Sequence, residues 1–74
     1  MIETAIKLGS LVAAQYYASE LKKNWVIGPP DTIEVREDSL SDGAEMVIIS
    51  RKPLGTDTLT VLTRIGFHYT IKEC

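Results

Sequence analysis

Apolar residues fall into differently patterned stretches along the chain. The first stretch, IETAIKLGSLVAAQYYASELKKN (2–24), contains no proline and is rich in Ala, Leu, Lys and Glu, which are residues that favour a helix. At about 100° per residue, Ile2, Ala5, Ile6, Val12, Ala13, Tyr16 and Tyr17 form one broad apolar face, suited to lying on a sheet. Lys22 and Lys23 put positive charge in the last turn, where it complements the helix dipole, and Asn24 is the expected stop. A second stripe, Leu8, Leu11, Ala18 and Leu21, falls away from that face. Beside it, Ser10, Ala14 and Ala18 form a column of small residues at spacing four, which lets another helix approach closely. A lone helix has no internal partner for this stripe, so Leu8, Leu11, Ala14 and Ala18 are candidate self-association residues. The ordinary alternative is that scattered apolar residues on a helix surface are normal.

After Asn24 the period changes. WVIGPPD reads as a short strand ended by Pro29 and Pro30, which remove two backbone donors. TIEVRED alternates, with Ile33 and Val35 inward and Glu34 and Arg36 outward, as in a strand with one wet face. SLSDGA carries an Asp42-Gly43 turn signal. EMVIISRK is apolar on both sides, Met46 and Ile48 against Val47 and Ile49, which predicts a central strand covered on both faces. PLGTD is then the loop of a hairpin leading to the last segment.

That last segment, TLTVLTRIGFHYTIK (58–72), fits two periods. Leu59, Leu62 and Ile65 lie three apart and are followed by Gly66, as in a short helix stopped by glycine before a strand from Phe67. Read in twos, the odd positions from Leu59 to Ile71 are apolar in six of seven cases. The even positions are apolar only at Leu62, and the residue types are strand formers. The count favours a strand with Leu59, Val61, Phe67 and Ile71 inward, bent near Gly66 because a straight one would span about 50 Å. The predicted fold class is α+β, one N-terminal helix packed on an antiparallel sheet of three to five strands. Such a helix covers one sheet face and leaves apolar residues, Val47, Ile49 and Leu62 or Met46 and Ile48, on the other.

Seventy-four residues make a single small domain, 1–74, that buries only roughly 60–65 % of its unfolded surface. Domains of this size are usually reinforced by disulfides, a metal or oligomerisation. One cysteine excludes an intrachain disulfide, and one cysteine with one histidine excludes a structural zinc site. No cofactor is implied. Composition, at 45% apolar and 24% charged, is that of a folded domain. No leader pattern opens the chain, and the longest apolar region is broken by Glu3, Lys7, Ser10 and Gln15, so a cytoplasmic protein without a membrane segment is expected.

The formal net charge is -2, and from Asp31 to Glu45 six acids stand against Arg36 alone. That disfavours a basic footprint for nucleic acid. Glu34, Glu37, Asp38 and Asp42, with Asp31, offer a surface for a basic partner, against the plainer reading of a solvated strand face. DSLSDG lacks the spacing and distal glutamate of a calcium loop. His68 has no orienting carboxylate or nucleophile in its pattern, and Cys74 sits beside its own terminal carboxylate, which raises a thiol pKa. The chain reads as a non-enzymatic protein-interaction module, self-associating as a homodimer or serving as an accessory or inhibitory subunit. The alternative is a nucleic-acid-binding module that uses the C-terminal strand, with Phe67 and Tyr69 stacking and Arg64 and Lys72 beside them. Phe67 and Tyr69 phase with the core residues, which counts against it.

Overall fold

The structure, a computed structural model, describes residues 1–38 and 43–73. The elements run β1 (Ile2–Leu8), α1 (Leu11–Asn24), β2 (Thr32–Asp38), β3 (Gly43–Ser50), α2 (Thr56–Arg64) and β4 (His68–Glu73). The four strands form one antiparallel sheet in the order β2-β3-β1-β4. This is the α+β architecture expected from the sequence, in the split βαβ, ferredoxin-like arrangement. No helix among the described residues is long and apolar enough to cross a membrane.

The N-terminal segment differs from the single helix its pattern suggested. Ile2 to Leu8 is a strand, in which Ile2, Thr4, Ile6 and Leu8 share the inward face, and α1 starts only at Leu11. Ser10 explains the break. It adopts an extended backbone and its Oγ accepts the Ala13 N–H at 3.1 Å, an N-cap that satisfies one of the orphan donors of the first turn. With Ile2, Ala5 and Ile6 in a strand, a different face of the remaining helix is the buried one. Ala14 and Ala18 face the sheet, Ala13, Tyr17 and Leu21 flank them, and Val12 and Tyr16 point to solvent.

The C-terminal segment is a helix and then a strand, not one bent strand. Helix α2 ends in a Schellman motif: the Phe67 N–H donates to the Leu62 carbonyl and the Gly66 N–H to the Thr63 carbonyl, both at 3.1 Å. Gly66 sits at φ 81, the left-handed position such a cap requires. Leu62 and Phe67, the residues that motif brings together, both join the core. The threonines that favoured a strand are accommodated because Thr60 and Thr63 donate their hydroxyls to the Thr56 and Leu59 carbonyls, a local bond open to mid-helix threonine. PLGTD therefore leads into α2 instead of closing a hairpin. The expected strand at Trp25–Ile27 is absent; these residues leave α1 irregularly and reach a turn at Gly28–Asp31 with a cis Pro29-Pro30 peptide.

Strands β2 and β3 match their sequence patterns, and β3 is an interior strand. Of the turn predicted at Asp42-Gly43, Gly43 opens β3, while Asp42 lies outside the described residues, as does Cys74. The core lies between the sheet and both helices. Met46 stands opposite Ile6 and Val35, and Ile48 opposite Thr4 and Ile33, with Ala14, Ala18, Leu54 and Leu62 above them. Full burial of Ile6, Met46 and Ile48 contributes roughly 1.5–3 kcal/mol each.

Candidate functional site

The structure scatters the residues singled out in the sequence. Leu8 is buried on β1, and Ala14 and Ala18 are buried where α1 meets the sheet. The small-residue column thus brings α1 close to its own sheet, and of that candidate set only Leu11 is exposed. The acidic residues do not form one surface. Glu34 and Asp38 lie on the sheet face away from the helices, while exposed Glu37, opposite Ala44, is on the helix-bearing side. Asp42 is outside the described residues. The Arg36 guanidinium donates to Glu34 at 3.0 Å, Lys7 to Asp38, and the Arg51 backbone N–H to Asp31 at 3.0 Å. Lys7 and Arg51 are distant in sequence from the acids they neutralise.

The proposed stacking residues face the core. Tyr69 stands opposite Ile6, and Phe67 meets the Tyr17 ring edge-to-face at 5.1 Å. Lys72 is on the opposite sheet face and Arg64 at the end of α2, so these four do not share a surface. His68 is exposed beside Lys7 on the outer face. Among the described residues no group of three or more His, Cys, Asp or Glu side chains is placed to hold a metal ion.

The sheet's outer face is more polar than its sequence suggested. Val47 is sealed at its centre, Ala5 and Ile49 are half-buried, and Glu3, Lys7, Glu34, Arg36, Glu45 and Lys72 surround them. The exposed large apolar residues of the regular elements lie elsewhere: Leu11, Val12 and Tyr16 on α1, Val61 on α2, and Ile71 on the inward side of β4.

Among the described residues, two neighbouring concavities that share lining residues occur on the helical side. A trough of about 240 Å³ runs between α1 and α2. Tyr17 and Leu21 form one wall, Val61, Leu62 and Ile65 the other, and Ile6, Met46 and Ile48 close the bottom. Glu20, Asn24 and Thr58 are its polar lining. The trough exists because α1 is set by Ala14 and Ala18 over the β2–β3 side while α2, only nine residues long, packs on β4 at the other edge. At one end the trough meets a wider cleft of about 650 Å³. Leu21, Asn24 and Thr58 line both, and the cleft adds Trp25, Asp31, Ser50, Arg51, Lys52 and Leu54. The apolar positions on both segments were visible in the chain pattern, but nothing in that pattern signals the gap that joins them.

No protein-family model, no curated protein and no solved structure matches this chain.

Proposed function

We propose that the chain is a small, non-enzymatic interaction module that works by holding an apolar group in the trough between α1 and α2. The observation that carries this reading is the exposure of the α2 wall. Val61 is 56% and Ile65 45% exposed, yet both line a concavity opposite Tyr17 and Leu21. Apolar surface already gathered into a narrow recess gains about 25 cal/mol per Å² when an occupant displaces its water. What supports the non-enzymatic part is the apolar character of the trough walls, whose acid, Glu20, faces Lys23 at 3.5 Å. A cytoplasmic location belongs to the same reading and rests on the lone cysteine of the sequence.

The test is a methyl-resolved NMR titration with benzene. Shifts concentrated at Leu21, Val61, Leu62 and Ile65 are expected; a uniform or absent response overturns the reading. Self-association is a second reading, favoured by Val12 and Tyr16, which stand 76% and 59% exposed one turn apart on α1. Sedimentation equilibrium at micromolar concentration should then give a mass above 8.2 kDa, returning to it in V12K/Y16K.

A further inference from the structure

We infer that the trough and the cleft form one site for an amphipathic carboxylate, with its acyl chain between α1 and α2 and its carboxylate at Arg51 and Lys52. This rests on the trough reading above and adds the chemistry of the occupant. Continuity comes first: Leu21, Asn24 and Thr58 line both concavities, so one elongated molecule reaches from the apolar end to the basic end. The cleft's volume of about 650 Å³ is within the roughly 300–1,000 Å³ of small-molecule sites.

The walls favour an acyl chain over a peptide. A buried peptide backbone needs a partner for each N–H and C=O. Among the lining side chains of the trough the polar groups are those of Glu20, Asn24, Thr58 and the Tyr17 hydroxyl, and two of these, Asn24 and Thr58, stand at its junction with the cleft, too few for an extended backbone. An acyl chain requires no such partners.

The basic end is built from residues held in place. Asp31 accepts the Arg51 backbone N–H at 3.0 Å and lies 3.5 Å from its Nε, which engages one side of a guanidinium that has five donors. The guanidinium rests against Gly28, where a Cβ would come within 2.9 Å of Nη2. Among the described residues Lys52 forms no ion pair. Asp31 is the acid lining the cleft and Glu20 the acid lining the trough, and each has a cation beside it. Helix α2 also begins at this wall, at Gly55, which offers no side-chain cap, but Asp57 in its first turn offsets the positive end of the helix, so the charge here is that of the two side chains.

Trp25, the sole tryptophan, lines the cleft, so its fluorescence reports occupancy. Titrations use hexanoate, octanoate and decanoate below their micelle concentrations, with decanol and decyltrimethylammonium for comparison. Affinity should rise about fourfold per added methylene. Decanoate should bind about tenfold or more tighter than either comparison molecule. The variant R51Q/K52Q, which keeps the backbone N–H that Asp31 accepts, should lose that advantage for decanoate and leave decanol unchanged, with an unshifted melting temperature in the absence of ligand. Equal binding of decanol and decanoate overturns the carboxylate assignment while leaving the trough reading standing. Preference for the ammonium, or no dependence on chain length, overturns the proposal, and failure of all the chains to bind overturns the trough reading with it.

Discussion

Thr4→Val is expected to stabilise the domain, because the Thr4 side chain is 1% exposed and its Oγ1 has no hydrogen-bond partner among the described residues. Its strand neighbours on the inward face, Ile48 and Ile71, are apolar. An unpaired buried hydroxyl costs about 1–3 kcal/mol relative to its hydrated state. Valine has nearly the same volume and the same β-branching, so the strand geometry is retained. A chain of this length has a total stability of roughly 4–11 kcal/mol. A gain of about 1–2 kcal/mol is therefore a large fraction, and it corresponds to a rise of roughly 5–15 °C in melting temperature. Urea unfolding followed by circular dichroism measures it, with an unchanged slope showing that the unfolded state is not the cause. Thr4→Ser is the control: it keeps the hydroxyl, removes a methyl group and should lose about 1 kcal/mol. The predicted order of stability is valine, threonine, serine. If Thr4→Val lowers stability while Thr4→Ser is neutral, the hydroxyl is paired in the folded protein and the reasoning from burial fails.

Three further outcomes follow from the same packing. Leu62→Asp should unfold the domain, because a buried unpaired carboxylate costs several kcal/mol, whereas Val61→Asp should be mild at a position facing solvent; circular dichroism of the pair separates the helix from a strand that buries Val61. Gly66→Ala should cost about 1–2 kcal/mol, read from a thermal melt, since alanine must enter the positive-φ backbone of the α2 cap. Ala18→Leu should destabilise by about 1–3 kcal/mol through overpacking against the sheet; unchanged stability with altered oligomeric state would instead place Ala18 at an intermolecular contact.

The middle of the chain was legible in the sequence and its two ends were not, for a common reason. Ile33 and Val35 alternate against charged neighbours, and Met46 to Ile49 is apolar on both sides; neither pattern has a competing helical reading. Ile2 to Leu8 and Thr58 to Ile71 satisfy both periods, so the outcome rests on local stops. Ser10 caps a helix that the apolar pattern ran straight through. Gly66 closes a Schellman motif whose bond from Phe67 to Leu62 is invisible to a count of alternating positions. Errors of phase then carried into surfaces: Ala14 and Ala18 looked like an outer column only because the helix was started too early. The acidic segment looked uncompensated because Lys7 and Arg51 reach it across the sheet and across a turn. The trough was illegible in a stronger sense, since it is a space between two helices, one of which the count of alternating positions had set aside.

The proposed function stands on an apolar chain lying between α1 and α2, and intermolecular NOEs from decanol to the protein's methyl groups report that placement. Cross-peaks are expected from the alkyl chain to Leu21 on one wall and to Val61, Leu62 and Ile65 on the other, with none to Val12 or Ile71. Cross-peaks confined to Val12 or Ile71, or an absence of contacts to either wall, would contradict it.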